Sequence, residues 1–461
     1  MKLVIIGAGP GGYVAAIKAA QSGMHVTVIE DGEVGGACLN SGCIPTKSMI
    51  ASAEMLAKCR RLDAFGLEHA AEIKPNLSRI MERKNRIVSS QIKGIRNLFK
   101  GWGIILKEGR GKLASPRDVT VTTKAGLQEN LEADKIIIAT GSRPYQLPSF
   151  PFDGVNILSS DDVLKLKEIP KSLLIIGAGV IGCEFACIFR ELGSEVTILE
   201  MLPRAVSTED AEISQLLERE LKKKNIRLFT NVKTERIETR SDGVMVSLID
   251  GEEIIGEKVL VSVGRAFNSK GIGVEDIGVM KADRGEIIVN EDLETTVSGI
   301  YAVGDVIGGH LLAHVASREG ITAVTNMLGG NEHIDYNSVP SAIFTSPEIA
   351  SVGLREHQAD EKGIPVRTGH FQFRSLGKAH TIGEIEGFIK VISDAETDRL
   401  LGVHIIGPHA SELIHEAALA VKMKLKTKDI AETIHAHPTL SEVLMEAAAD
   451  AHGQAIHVMR R

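Results

Sequence analysis

Two cysteines and a short histidine motif carry the reactive side chains of this chain. Cys38 and Cys43 share one segment, GGACLNSGCIPTKSMI (35–50). Pro45 follows directly, and proline belongs in the first turn of a helix, so Cys43 is expected near a helix N-terminus. The dipole there favours thiolate over thiol. A pair so placed can cycle between dithiol and disulfide, and Lys47 would lie one helical turn past Cys43 on the same face. Cys59, Cys183 and Cys187 fit the commoner role of small buried apolar residues. A zinc reading lacks a second ligand pair near Cys38 and Cys43, so no metal is expected.

HAHPTLSE (435–442) is the second reactive cluster. His437 precedes Pro438, and His-Pro bonds in tight turns are candidates for cis geometry. Thr439 and Glu442 have the spacing of a capping box before Val443-Leu444-Met445. Glu442 therefore reads as a helix cap and His437 as a turn residue, unless the pair does acid–base work. His435 and His437 lack a third ligand for a metal. Glu184 stands among Cys183, Phe185, Ala186 and Ile188, where an unpaired carboxylate is expensive to bury. Its plain role would be a first-turn acid complementing the helix dipole.

The elements that position these groups are legible as a repeat. LVIIGAGPGG (3–12) returns as LLIIGAGVIG (173–182), and HVTVIE (25–30) returns without a gap as EVTILE (195–200). Each copy is a buried strand, a glycine turn, a helix, a second strand and a closing glutamate. Gly7 and Gly177 make the turn, and Gly9 and Gly179 let backbone amides approach a pyrophosphate at the helix N-terminus. Gly12 and Gly182 bring the helix close to the strand, and Glu30 and Glu200 can accept bonds from a ribose hydroxyl. Two complete copies in phase point to two dinucleotide sites and to electron transfer between two bound cofactors.

Between and after these copies, residues 38–60 and 77–100 read as helical and 104–138 as strand-rich. Glycine turns follow apolar runs at ATGSRP (139–144), VSVGR (261–265) and YAVGD (301–305). From about Val339 the pattern changes to strands (348–353, 384–392, 401–406) with helices near 410–424 and 441–451, a separate α+β domain. The expected fold is α/β, with two Rossmann-like dinucleotide-binding domains and a C-terminal α+β domain. The expected divisions are 1–144, 145–265, 266–337 and 338–461.

Composition excludes other classes. Aromatics make up 4% with a single tryptophan, Trp102, which argues against stacking on single-stranded nucleic acid. A net charge of -7 with dispersed Lys and Arg argues against nucleic-acid or membrane-surface partners. No apolar run spans a bilayer and no signal-peptide core is present, so a reducing cytoplasm is expected.

The motifs GAGPGG, CLNSGCIPTK, ATGSRP, GAGVIGCE, YAVGD, LAHVASREG (312–320), FTSPEIASVG (344–353) and HAHPTLSE run nearly end to end. Together they resemble the class I, flavin-dependent pyridine nucleotide–disulfide oxidoreductases. The resemblance implies FAD at the first site, on Gly7, Gly9, Gly12, Glu30, Lys47, Thr140, Gly141, Asp305 and Ala313, where Asp305 alone reads as a turn-capping residue. It implies NAD at the second, on Gly177, Gly179, Gly182, Glu200 and Gly264. Glu200 would repel a 2′-phosphate and so oppose NADP; Arg204 nearby could soften that choice, or serve only as a solvated charge.

Six residues are implied to be catalytic: Cys38, Cys43, Lys47, Glu184, His437 and Glu442. Lys47 and Glu184 would pair beside the flavin. His437, oriented by Glu442, would take the substrate thiol proton and act on the cysteines of the other subunit of a homodimer. The implied substrate is dihydrolipoamide on lipoyl-bearing proteins of 2-oxo acid dehydrogenase or glycine-cleavage complexes. A sibling reducing another disulfide, such as glutathione, is the alternative. The chain departs from the family's usual pattern at Ser41 (valine), at Pro45-Thr46-Lys47 (Pro-Ser-Lys) and at Ser298 (proline). None of these positions carries a group the reaction needs.

Overall fold

The computed structural model describes residues 1–68, 72–241 and 243–459. They form two compact units: 1–154, 158–168 and 263–334 in the first, and 155–157, 169–262 and 335–461 in the second.

The first unit is built on a parallel sheet in the order Ile300–Ala302, Lys135–Ile138, Lys2–Ile6, His25–Glu30, Ile105–Glu108. Its central strands, KLVII and KIII, are apolar runs with almost every residue buried, as a sheet covered on both faces requires. Helix Pro10–Gln21 opens on proline and packs against helix Ala313–Met327. There a Cβ on Gly320 would sit 2.5 Å from the Gly11 carbonyl, so the two backbones nearly touch.

One expected helix is divided. Within the helical stretch expected over 38–60, the chain forms Gly36–Asn40, a break at Ser41–Gly42, and then Cys43–Cys59, with Cys43 at a helix start as Pro45 implies. Packing at Gly42 supplies the reason, since a Cβ there would meet the Ala37 carbonyl at 2.9 Å and the Cys38 Cα at 3.4 Å. The break folds the two cysteine-bearing turns back on each other.

The second unit repeats the first design. Strands Arg227–Phe229, Glu195–Leu199, Ser172–Ile176 and Lys258–Val261 lie parallel in that order. An antiparallel sheet follows, in the order Ser341–Ile343, Glu348–Gly353, Leu400–Gly407, Phe388–Asp394, Val366–Gln372. Helices Ala410–Lys422 and Glu442–Asp450 cover it through Ile414, Ala417, Val421, Val443, Leu444 and Ala447. The strand Val366–Gln372 escapes sequence reading because Gly369 and His370 interrupt its apolar alternation.

A buried charge cluster joins the two parts of this unit. Lys390, 1% exposed in the interior strand Phe388–Asp394, donates to Glu212 at 2.7 Å, Glu356 at 2.5 Å and Asp210 at 3.2 Å. Burial opposes the ammonium, but the three carboxylates win and raise its pKa. The His370 ring is the first cause of a Glu212 carboxyl held down at about 2, with Lys390 adding to it against burial.

Lys390→Met leaves Asp210 buried without its cation, and an expected loss of about 3–5 kcal/mol is measurable by denaturant unfolding. Glu212 gives an acid signature. Its folded pKa of about 2 lies below the ordinary 4.5, so its contribution is full above 4.5 and is lost as pH falls toward 2. Melting temperature should drop across that window, and Glu212→Gln should flatten the drop.

Candidate active site

Glycines at the first and third positions of each turn are demanded by the fold itself. Gly7 and Gly177 have φ of +104° and +102°, a region side chains avoid. A Cβ on Gly12 or Gly182 would lie 2.0 Å from the carbonyl of Gly7 or Gly177. The middle glycines differ. Gly9 and Gly179 have φ of −70° and −73°, which any residue adopts. A Cβ on Gly179 meets nothing within 4 Å, and one on Gly9 only the Gly36 Cα at 3.7 Å. Neither backbone strain nor packing asks for glycine there. Close approach of a ligand does, and the residues present therefore fit a dinucleotide at each turn.

Each closing glutamate is fastened to its turn. Glu30 accepts from the Ala8 amide at 2.7 Å and the Gly32 amide at 2.8 Å. Glu200 accepts from Ala178 at 2.6 Å and Leu202 at 2.7 Å. Glu200 is the more enclosed, at 7% exposed. Arg204 turns away to the Ser207 carbonyl, 3.2 Å.

In the first unit Cys43 is the first residue of helix Cys43–Cys59, and Cys38 lies in the short helix before it. Cys43 is exposed and Cys38 half-buried. A hydrogen bond to Cys43, then burial and the charge on Cys43, hold the Cys38 thiol well above the ordinary range, while Lys47 opposes them. Of the two, Cys43, at the helix N-terminus, is the better placed to carry a thiolate. Burial also raises the thiols of Cys183 and, to about 11, Cys187, which leaves both unreactive core residues.

Asp305 is held by neighbours that the motif reading did not single out. Ser142 donates to its carboxylate, and Arg265 Nε lies 3.6 Å from it while donating to Ser142 Oγ at 2.6 Å. Glu319, 2% exposed, accepts from the Gly304 amide at 2.6 Å and fixes the turn. Thr140 and Gly141 are locked to Asn268: Thr140 Oγ1 donates to its carbonyl at 2.8 Å, and the Asn268 amide donates to Gly141 at 2.9 Å. A signal existed, since Ser142 and Arg265 each sit just past a glycine turn closing an apolar strand. Ala313 is the first residue of its helix, and the Gly264 carbonyl accepts from Tyr145 at 3.0 Å.

The second unit holds Glu184 and the histidine motif. Glu184, 3% exposed, is the fifth residue of helix Val180–Leu192 and so lies beyond the first turn. Its carboxylate accepts from the Phe344 amide at 3.0 Å rather than complementing the helix dipole. His437 Nδ1 is 2.9 Å from Glu442 Oε1, and Thr439 donates its amide to Glu442 Oε2 at 2.8 Å. Only this half of the capping box forms, because the Thr439 hydroxyl turns to the Ala436 carbonyl at 2.7 Å. Against the upward push of burial, the Thr439 amide and His437 hold the Glu442 carboxyl below its ordinary range. The His437-Pro438 bond is cis. A side chain 76% exposed, with Nδ1 pinned by a carboxylate, leaves Nε2 to exchange a proton.

Comparison with known proteins adds the following. Residues 1–320 match the pyridine nucleotide-disulphide oxidoreductase family, and residues 339–448 match the dimerisation domain of that family. The chain is 44% identical to a dihydrolipoyl dehydrogenase of Bacillus subtilis, over 99% of this chain and 98% of that one. A crystal structure of LpdA from Mycobacterium tuberculosis superimposes with a TM-score of 0.92 at 32% identity, covering 97% of this chain and 99% of that one. The flavoprotein disulfide reductase RclA of Escherichia coli, HOCl-induced, superimposes with a TM-score of 0.86 at 27% identity, over 97% and 99%. Among the described residues no helix is long and apolar enough to cross a membrane.

The glycine geometry separates folding from binding. Gly182→Ala should fold poorly, because its Cβ would overlap a carbonyl. Gly179→Ala should keep its melting temperature yet bind pyridine nucleotide at least about tenfold more weakly, a loss of ~1.4 kcal/mol. Paired calorimetric melting and nucleotide titration of the two variants check this.

Proposed function

The chain belongs to the pyridine nucleotide-disulphide oxidoreductase family, and from that premise we propose that it oxidises protein-bound dihydrolipoamide to lipoamide. It is an FAD-dependent oxidoreductase whose electron acceptor is NAD+. The observation that carries the reading is the Cys38–Cys43 pair, hydrogen-bonded to each other with Cys43 opening helix Cys43–Cys59, in the same unit as the first dinucleotide turn. Full-length similarity to a dihydrolipoyl dehydrogenase supports the lipoyl substrate, and Glu200, tied to Ala178 and Leu202, supports NAD+ over NADP+.

The chain's own groups then act in order. His437, steadied through Nδ1 by Glu442, takes a proton from one thiol of dihydrolipoamide. The resulting thiolate attacks Cys38 of the Cys38–Cys43 disulfide, and that bond breaks to leave Cys43 as thiolate. The second substrate thiol displaces Cys38, closing the lipoamide disulfide, and its proton stays with Cys38. Cys38 as thiol beside Cys43 as thiolate is the arrangement the hydrogen bond here favours. FAD, when bound, would accept the electron pair and the Cys38 proton as the Cys38–Cys43 disulfide re-forms, and would supply them to NAD+ as a hydride, while His437 releases its proton. Lys47 balances the charge on Cys43, and Glu184 keeps its place in the catalytic set by resemblance to the family.

The dimerisation domain at 339–448 supports a homodimer in which His437 serves the cysteines of the other subunit. Lipoyl-bearing proteins of 2-oxo acid dehydrogenase or glycine-cleavage complexes are the partners this chemistry fits. A reducing cytoplasm suits a thiol pair that must cycle. Within this reading 1–144 binds FAD, 145–265 binds NAD, 266–337 completes the FAD site and 338–461 forms the interface.

Turnover of dihydrolipoamide with NAD+ should exceed that of glutathione disulfide with NADPH in a paired assay, and the reverse order would overturn the lipoyl assignment. Cys38→Ser should abolish dihydrolipoamide oxidation. His437→Gln should lower kcat by about 10²–10⁴-fold, the usual worth of a general acid–base, while NADH still reduces the flavin.

A further inference from the structure

The loop that carries His437 holds a second histidine–carboxylate pair, which the reaction above does not use. His435 stands two residues earlier, its side chain 6% exposed against 76% for His437. Its Nδ1 is 2.9 Å from the Thr433 carbonyl, and its Nε2 is 3.1 Å from Glu416 Oε1 on helix Ala410–Lys422. A carbonyl and an ionised carboxylate only accept hydrogen bonds. Both bonds are therefore made together only when both ring nitrogens carry hydrogen, as in the imidazolium cation. One ring is free to exchange a proton through Nε2; the other is committed at both ends.

The pair also supplies a tie that the loop otherwise lacks on this side. Ile434, its immediate neighbour, is 96% exposed, so apolar packing does not anchor the stretch. Thr433 Oγ1 bonds back to Asp429 at 2.7 Å and Thr439 Oγ1 to Ala436 at 2.7 Å; both are local bonds. The His435–Glu416 bond reaches sideways to another helix. Against the upward push of burial, the Thr439 amide, His437 and then His435 hold the Glu442 carboxyl below its ordinary range, so the cation is felt at the group that orients His437.

We propose that His435, clamped between the Thr433 carbonyl and Glu416, is a positioning residue for His437 that sets the path of the loop and the bond from His437 to Glu442. The proposal rests on the acid–base role given to His437 above.

Two variants test the clamp. His435→Ala removes both ties. Glu416→Gln keeps them, because its amide can donate to Nε2 of a neutral ring. In purified holoenzyme assayed with dihydrolipoamide and NAD+, His435→Ala should lower kcat/KM by roughly 10- to 100-fold, the scale of a small misplacement of a catalytic group. Glu416→Gln should stay near the wild-type value. Reduction of the flavin by NADH, which moves no thiol proton, should stay at the wild-type rate in both. Wild-type kcat/KM in His435→Ala would overturn the proposal, as would equal losses in NADH-driven flavin reduction. Full turnover by His437→Gln would instead overturn the acid–base reading itself.

Discussion

A carboxylate at the end of one strand, bonded to the second amide of a glycine turn at the end of its neighbour, is the interaction on which both nucleotide-binding parts depend. Glu30 reaches Ala8 and Glu200 reaches Ala178, at 2.7 and 2.6 Å. Each bond ties the turn to the adjacent strand. The glycine five residues on then lets the helix settle against the turn's own carbonyl. Amides not consumed inside the turn are left facing the position that the middle glycine keeps clear. The same atoms thus fasten the fold and shape the cradle, so a change in spacing would disturb both.

The reactive groups are governed by a second rule, in which each proton is placed by what its neighbours can accept. The Cys38 thiol is pushed up by its hydrogen bond to Cys43, which opens a helix. His437 has one nitrogen occupied by Glu442 and one left over. Asp305 is held by a serine and an arginine so that its carboxylate has a fixed direction. In every case a hydrogen-bond donor or acceptor at a known position does the orienting, and the reactive atom is the one it leaves unused.

Some of this is legible in the chain and some is not, for identifiable reasons. The repeat reads directly, because strand, turn and helix are local and their glycines recur at constant spacing. Cys43 at a helix start follows from Pro45. The break at Ser41–Gly42 does not, since nothing in the local pattern reports that Gly42 packs on Ala37. The Thr439-x-x-Glu442 pattern promised a full capping box and delivers half, because a nearer carbonyl captures the hydroxyl. Glu184 promised a helix-dipole role and instead meets the amide of Phe344, far along the chain.

By itself, then, the amino-acid order determined the residue types that can do redox and proton chemistry, the two phosphate-cradling turns, and the change to an α+β pattern near Val339. These are properties of short segments, where backbone geometry links spacing to shape. Only the tertiary structure decided that Arg265 and Ser142 would hold Asp305, that Lys390 would be buried among Asp210, Glu212 and Glu356, and that Glu416 would meet His435. Each of these contacts joins residues distant in sequence. Their energies come from burial and from charge pairing, which exist only once separate elements have closed on one another.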